Sequence, residues 1–190
     1  MKSNSTKNRI LNAPLTRILL GLLVCFIAFI LAQQVTGKVL DLTVLDKNLR
    51  NLIKGIVSSA AVILAYIYFY KKYESRTITE FSGKGVAEYI LIGAGIGIVL
   101  QSLTILVIVI TGSFEIVTVN PWSNIIIPLT VAFSVAIFEE ILIRGIIFRI
   151  VEKKLGSYVS LLITSIIFGA LHLANPNSTI MSGVCVGVEA

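Results

Sequence analysis

Two adjacent acidic side chains, Glu139 and Glu140, lie inside an apolar stretch of the chain and are followed by Arg144. Each charged group near the centre of a bilayer costs about 2.5–3.5 kcal/mol on insertion scales, so such residues usually face a bundle interior or a water-filled cavity. In an α-helix, Glu140 and Arg144 share a face and can form an ion pair, whereas Glu139 points about 100° away. A carboxylate outside that pair can bind water or a metal, or accept a proton. Glu139 is therefore a candidate general base.

The only histidine of the chain, His172, lies four residues after Phe168 in a second apolar stretch, so the two share a helix face. A neutral imidazole can act as a base, a metal ligand or a hydrogen-bond partner of a carboxylate. The competing interpretation is a histidine that is hydrogen-bonded and only packs. Similarly, Arg144 can be an anchor that extends to the membrane interface, with Glu139 and Glu140 at the boundary.

The composition is that of a membrane protein. Of the 190 residues, 56% are hydrophobic and 14% are charged, whereas soluble domains carry roughly 25% charged residues. The net charge of +6 comes mostly from the N-terminal tail and from short loops, as orientation signals do. The sequence has no basic helix face and no basic stretch interleaved with aromatic residues, so we expect no nucleic-acid partner. Cys25 and Cys185 have no partner at metal-binding spacing and predict no disulfide framework.

Five stretches are long and apolar enough to cross a bilayer, which takes about 20 residues. A signal peptide is the alternative for the first, but its long apolar region without a clear A-x-A site favours a retained anchor. A sixth apolar piece, 180–188, is too short to span. The sequence predicts an all-α fold, a polytopic transmembrane helical bundle of about five full spans and the start of a sixth. The predicted spans are 15–35, 52–70, 89–110, 122–148 and 158–175.

Loop charges predict the orientation of these helices. Lys and Arg are concentrated in the tail and in the loops after the second and fourth spans, and they are absent from the loops after the third and fifth. Segment 38–54 does not fit this pattern, because it holds four basic residues yet would lie on the outer side of the membrane. The alternation predicts a multi-pass cell-membrane protein with a cytoplasmic N-terminus. The chain then divides into a cytoplasmic tail (1–14), N-terminal transmembrane helices (15–120) and a C-terminal membrane domain (121–190).

A glycine-rich run, Gly93-Ala94-Gly95-Ile96-Gly97, lies in the middle of the third predicted span. A phosphate-binding loop would need a strand, a turn and a helix around such glycines, and this context is missing. We therefore interpret the run as a site of close helix packing through small residues.

The two polar motifs are predicted at different depths. His172 lies about 20 Å along its helix from Val159, counted from the cytoplasmic side at 1.5 Å per residue. Glu139 lies closer to the same side if the fourth span ends near Phe148, nine residues later. The side chains meet only if a helix tilts, if the fourth span is shorter, or if its last turns extend into the cytoplasm.

Together the motifs E-E-x-x-x-R and, about 24 residues later, F-x-x-x-H resemble those of the CPBP family of intramembrane proteases. This is the CAAX protease and bacteriocin-processing family, also called the Abi family. The resemblance covers the segment from Pro121 to the C-terminus and implies a CAAX protease-like membrane domain there. It rests on five residues: Glu139, Glu140, Arg144, Phe168 and His172.

The resemblance implies an intramembrane endopeptidase that acts on a membrane-associated protein or peptide substrate within the lipid bilayer. Glu139 would activate a water that His172 helps to hold, and Glu140 with Arg144 would order the site through their ion pair. The family is called metal-dependent, although a mechanism through glutamate alone has also been argued, and the residues permit both. A divalent metal such as zinc usually takes three protein ligands plus water. Glu139, Glu140 and His172 are the candidate ligands.

One motif of the family is missing from this sequence. The family carries a later H-x-x-x-N or H-x-x-x-D motif that is expected to complete the site, and this chain has no second histidine before Ala190. The simplest expectation is a truncated or partial chain whose own activity is open. The alternatives are a non-catalytic membrane protein, such as a bacteriocin self-immunity factor, and a fragment of a proton-coupled transporter that relays protons through Glu139, Glu140 and His172.

Overall fold

The computed structural model describes residues 13–78, 83 and 85–189 of the chain, apart from the side chain of Glu189. All but the last two residues of the predicted cytoplasmic tail, 1–14, lie outside the described part. Within the described ranges, the chain is helical and contains no β-strand. The predicted all-α membrane bundle is therefore confirmed.

Six helices make up the described structure, and the first four are long and apolar enough to cross a membrane. The fifth has 16 residues and ends at His172, so it is shorter than the predicted span 158–175. It ends early because Pro176 disfavours helical backbone at the residue before it, and the chain turns there. The sixth has 10 residues and agrees with the predicted start of a further helix. The helices are α1 (Pro14–Asp41), α2 (Lys47–Tyr73), α3 (Val86–Ile110), α4 (Trp122–Leu155), α5 (Ser157–His172) and α6 (Ile180–Glu189).

The buried core lies among α1, α2 and α4. Its side chains include Cys25 of α1, Tyr66 and Tyr70 of α2, and Ile146 of α4. Helices in a bilayer associate through close packing, since lipid tails are as apolar as leucine. Gly55 of α2 permits such an approach to α4, because a Cβ built there would lie 2.6 Å from both Ser134 Oγ and Thr130 Cγ2.

Helix α3 is different, because none of its described residues is buried. Nothing lies within 4 Å of a Cβ built on Gly93, Gly95 or Gly97. The prediction that this glycine run mediates close helix packing is therefore wrong for the described structure. A helix that is apolar all round can be covered by lipid, so its small residues do not by themselves identify a packing face.

Helix α4 is one continuous helix of 34 residues whose hydrogen-bond pattern changes along its length. It begins with a 3₁₀ turn at Trp122–Ile125, continues as α-helix over Ile126–Glu140 and as π-helix over Ile141–Phe148, and ends as α-helix over Arg149–Leu155. The π-helical segment starts directly after the paired glutamates. Such segments are rare and frequently occur at functional sites.

A one-residue connection at Gly156 joins α4 to α5. Its backbone, with φ 80° and ψ 168°, lies in a region that is essentially restricted to glycine. Glu139 lies 17 residues before this turn and His172 lies 16 residues after it, so the hairpin brings them to the same depth. The predicted end of the fourth span near Phe148 was too early. The helix extends to Leu155, seven residues beyond that predicted end.

The basic ends of several helices gather at one end of the bundle. Arg17 near the start of α1, Glu74 just after α2 and Arg149 in the last turns of α4 are in contact there. This agrees with the alternating loop charges. The cell membrane as the location and the side that carries this end both stay predictions. The same end carries four exposed lysines: Lys71, Lys72, Lys153 and Lys154.

Candidate active site

Glu139 on α4 and His172 at the end of α5 face each other across the α4–α5 hairpin. The Oε1 atom of Glu139 lies 4.0 Å from Nε2 of His172, and the side chains are 34% and 27% exposed. This separation is too long for a direct hydrogen bond, but one water molecule can bridge two polar groups at such a distance. The structure thus brings together the two residues that the sequence predicted as base and partner.

The orientation of the His172 ring is set by its own helix. Nδ1 lies 2.9 Å from the carbonyl oxygen of Phe168. A carbonyl can only accept, so Nδ1 carries a proton and donates this hydrogen bond. In the neutral ring, Nε2 then holds the lone pair that faces Glu139. The Phe168 ring also packs against the imidazole, with centroids 4.5 Å apart.

Glu139 and His172 line a cavity of about 770 Å³ that is formed by α1, α4 and α5. We call it the apolar cavity, because every other described residue that lines it is Leu, Ile, Val or Phe. Phe29 of α1 stacks on Phe138 of α4, with ring centroids 4.5 Å apart. The space is therefore shaped for an apolar segment, with two polar groups in its wall.

Glu140 enters a different cavity from its neighbour. Its Oε2 atom lies 4.0 Å from Nε of Arg144, and the side chains are 65% and 33% exposed. Exposed pairs of this kind contribute about 1 kcal/mol or less. Glu140 and Arg144 line a cavity of about 460 Å³ together with Tyr66 and Arg149, and we call this the basic cavity. The predicted i, i+4 contact is present, and it lies away from Glu139 and His172.

A charged cluster around Glu74 was not predicted from the sequence. Arg149 donates to both carboxylate oxygens of Glu74, from Nη1 at 2.9 Å and from Nη2 at 3.4 Å. Arg17 and Arg76 also approach this carboxylate, at 3.8 and 4.0 Å, and the Glu74 side chain is only 4% exposed. The Arg149 guanidinium lies 4.5 Å from the centroid of the Tyr70 ring, which adds a cation–π contact.

Side chains also stabilise the π-helical segment. The carbonyl oxygen of Gly145 accepts hydrogen bonds from the Tyr66 hydroxyl at 3.1 Å and from Nε of Arg149 at 2.9 Å. The Ser160 hydroxyl of α5 donates to the carbonyl oxygen of Phe148 at 2.7 Å. These bonds satisfy backbone groups where the regular helical pattern changes. They hold the segment that follows Glu139 and Glu140 against α2 and α5.

The three predicted metal ligands do not come together. Within the described part of the chain, no group of three or more His, Cys, Asp or Glu side chains is placed to hold a metal ion. Glu139 and His172 supply two donors, whereas catalytic zinc usually takes three protein ligands. The described donor set does not fit such a site, so metal dependence stays a prediction.

The C-terminal segment is similar to a known protein family. Residues 121–188, just over a third of the chain, match the family model described as Type II CAAX prenyl endopeptidase Rce1-like. Because of this similarity, we call residues 121–188 the Rce1-like region. The match confirms the resemblance to the CPBP family that the two motifs indicated. Among curated proteins and among solved structures, no significant match to the chain was found.

The Rce1-like region does not form the apolar cavity alone. The region carries Glu139 and His172 on α4 and α5, and the opposite wall comes from α1, which lies before residue 121. Leu23, Phe26 and Phe29 are part of that wall. No motif in the sequence predicted that α1 would line the site, since its residues are distinguished only by hydropathy.

Proposed function

We propose that this protein is an intramembrane endopeptidase that hydrolyses a peptide bond of a membrane-associated protein or peptide. The observation that carries the proposal is the placement of Glu139 and His172, 4.0 Å apart, in the wall of an apolar cavity among membrane-crossing helices. The Rce1-like region supports protease activity at the level of the family.

The proposed reaction uses one water molecule held between the two side chains. His172 Nε2 accepts a hydrogen bond from this water, while the Glu139 carboxylate removes a proton from it. The water oxygen then attacks the carbonyl carbon of the substrate, and the resulting tetrahedral intermediate loses its C–N bond. Glu139 returns the proton to the departing amine, so that the products are a carboxyl group and an amine.

Glu140 and Arg144 act as positioning residues in this proposal. They lie on the other side of α4 and do not reach the water between Glu139 and His172. Their contact and the hydrogen bonds to the Gly145 carbonyl hold the helix segment that carries Glu139. Phe168 positions His172 through its carbonyl group and its ring.

The lining of the apolar cavity indicates the kind of substrate. Leu, Ile, Val and Phe side chains accept an apolar peptide segment or a lipid group attached to it. We therefore expect the substrate to enter the cavity from the bilayer. A prenylated peptide and an unmodified membrane-spanning peptide are the two substrate types to compare.

One observation favours a second candidate, a non-catalytic membrane protein such as a bacteriocin self-immunity factor. Among the described residues that line the apolar cavity, Glu139 and His172 are the polar ones. A hydrolase also stabilises the oxyanion of its intermediate with a hydrogen-bond donor, and no additional side-chain donor occurs in this described lining. A protein that binds an apolar peptide without cutting it would not need such a donor.

The test uses the purified chain in vesicles with internally quenched peptides, one prenylated on a CAAX cysteine and one unmodified and membrane-spanning. Cleavage is expected, and Glu139→Ala or His172→Ala should each lower its rate by roughly 10²–10⁴-fold. Glu88→Ala, on the exposed helix α3, is the control and should leave the rate unchanged. Saturable peptide binding without cleavage, equal in all variants, would overturn the protease proposal in favour of the second candidate.

A further inference from the structure

The basic cavity, on the Glu140 side of α4, does not hold the water or the peptide bond of the proposed hydrolysis. It has a volume of about 460 Å³ and lies between the end of α2 and the last turns of α4. Its lining is unusually rich in charge for a site among membrane helices. Four basic and two acidic residues contribute to it: Arg76, Arg144, Arg149, Lys153, Glu140 and Glu152.

The neighbouring carboxylates do not balance this positive charge. Glu74 is engaged mainly by Arg149, in a two-fold hydrogen-bonded pair. Glu152 accepts a hydrogen bond from the Ser157 hydroxyl at 2.6 Å. Counting Arg17 and Glu74 with the lining residues, five basic groups meet three carboxylates, which leaves a formal charge of +2.

Two of the basic side chains can reach into the cavity and are not part of the cluster around Glu74. Arg144 is one-third exposed and its contact with Glu140 is 4.0 Å long, so its guanidinium can turn to another anion. Lys153 is exposed and lies nine residues further along the same helix. Guanidinium groups bind phosphate oxygens with two parallel hydrogen bonds, and lysine adds a mobile point charge.

The location of the cavity indicates where a phosphate would come from. It lies at the end of the bundle that carries the exposed lysines Lys71, Lys72 and Lys154. Helix ends of this kind lie near the bilayer surface, and basic pockets between membrane helices bind anionic lipid headgroups there.

We propose that the basic cavity binds a phosphate group through Arg144 and Lys153. The headgroup of an anionic membrane lipid is the source that its position favours, and a soluble phosphate compound offers the same chemistry. Arg149 stays paired with Glu74 and supplies the fixed positive wall of the cavity.

The test measures lipid bound to the purified chain by native mass spectrometry. The chain is placed in nanodiscs that contain phosphatidylcholine and phosphatidylglycerol in the same ratio for every variant. We expect phosphatidylglycerol to be retained preferentially, and Arg144→Gln and Lys153→Gln each to weaken its binding roughly fivefold. Lys154→Gln is the matched control, because it removes the same charge at the next residue, outside the cavity lining.

A second arm separates the two sources of phosphate. Thermal unfolding of the chain in pure phosphatidylcholine nanodiscs is followed while inorganic phosphate or glycerol phosphate is added. A saturable rise in Tm that Arg144→Gln and Lys153→Gln remove, but Lys154→Gln keeps, would identify a soluble phosphate ligand. The proposal is overturned if neither phosphatidylglycerol nor soluble phosphate binds, or if Lys154→Gln weakens binding as much as Lys153→Gln does. Circular dichroism of each variant verifies that the helical fold is retained.

Discussion

Glu139 and Glu140 are neighbours in the chain, yet their side chains enter two cavities of opposite character. The cavity of Glu139 is about 770 Å³ in volume and apolar except for His172. The cavity of Glu140 is about 460 Å³ in volume and is lined by charged side chains from α4 and from the loop after α2. Consecutive helical residues point about 100° apart, so one motif can serve two sides of a helix.

In the proposed hydrolysis the apolar side supplies the chemistry, whereas the contacts on the basic side supply stability. On the apolar side, Glu139 and His172 lie 4.0 Å apart, a separation that one water molecule can bridge, and they have few other partners. On the basic side, hydrogen bonds and ion pairs tie α1, α2 and α4 together around Glu74 and Gly145. Substitutions on the basic side should therefore change stability most, and substitutions at Glu139 and His172 should change reactivity most.

The largest stability effect is expected from Glu74→Ala on the basic side. The substitution leaves Arg149 buried without its carboxylate, and breaking a buried pair in this way costs about 3–5 kcal/mol. Thermal or denaturant unfolding in a mild detergent measures it. The matched control is Asp41→Ala, which breaks the exposed pair between Asp41 and Arg50 and should cost about 1 kcal/mol or less. Equal losses in the two variants would contradict the assignment of stability to the cluster around Glu74.

A smaller loss is expected from Gly156→Ala in the turn between α4 and α5. An alanine in this backbone conformation costs about 1–3 kcal/mol, and a shifted turn would also separate Glu139 from His172. Both unfolding and peptide cleavage should therefore be affected. Gly93→Ala is the control, because a Cβ there meets nothing within 4 Å, and it should be neutral or slightly stabilising. A Gly156→Ala variant as stable and active as the original chain would argue against the hairpin geometry.

The smallest loss is expected from Tyr66→Phe, which removes the hydroxyl that donates to the Gly145 carbonyl and accepts from Nη2 of Arg76 at 2.9 Å. Each hydrogen bond of this kind contributes about 1 kcal/mol. The free energy of unfolding measures the change, and Tyr68→Phe is the control since Tyr68 is 68% exposed. If the two variants unfold alike, the hydroxyl of Tyr66 does not support the π-helical segment.

The meeting of Glu139 and His172 could be predicted from sequence because both lie in recognisable motifs on consecutive apolar stretches. The depth at which they meet was missed because Glu152, Lys153 and Lys154 lower the hydropathy after Phe148. Charged residues end an apolar pattern without ending a helix, so α4 continues to Leu155.

The basic side could not be predicted in the same way. The partners of Gly145 and Arg149 lie 79 and 75 residues away in the chain, at Tyr66 and Glu74. No helical periodicity links residues at such separations, so only the folded chain shows the bonds that favour a π-helix after Glu140. The glycine run of α3 was a visible sequence pattern that gave a wrong prediction. Small residues permit close packing but do not determine which helix packs closely.

The central claim is that Glu139 performs the chemistry while Glu140 only supports its helix. It is tested most directly by comparing peptide cleavage by Glu139→Gln and Glu140→Gln in the same vesicles, because both variants lose one charge at adjacent positions. We predict that Glu139→Gln lowers kcat roughly 10²–10⁴-fold, while Glu140→Gln lowers it by at most about fivefold. Equal losses, or a larger loss for Glu140→Gln, would contradict the division of roles between the two glutamates.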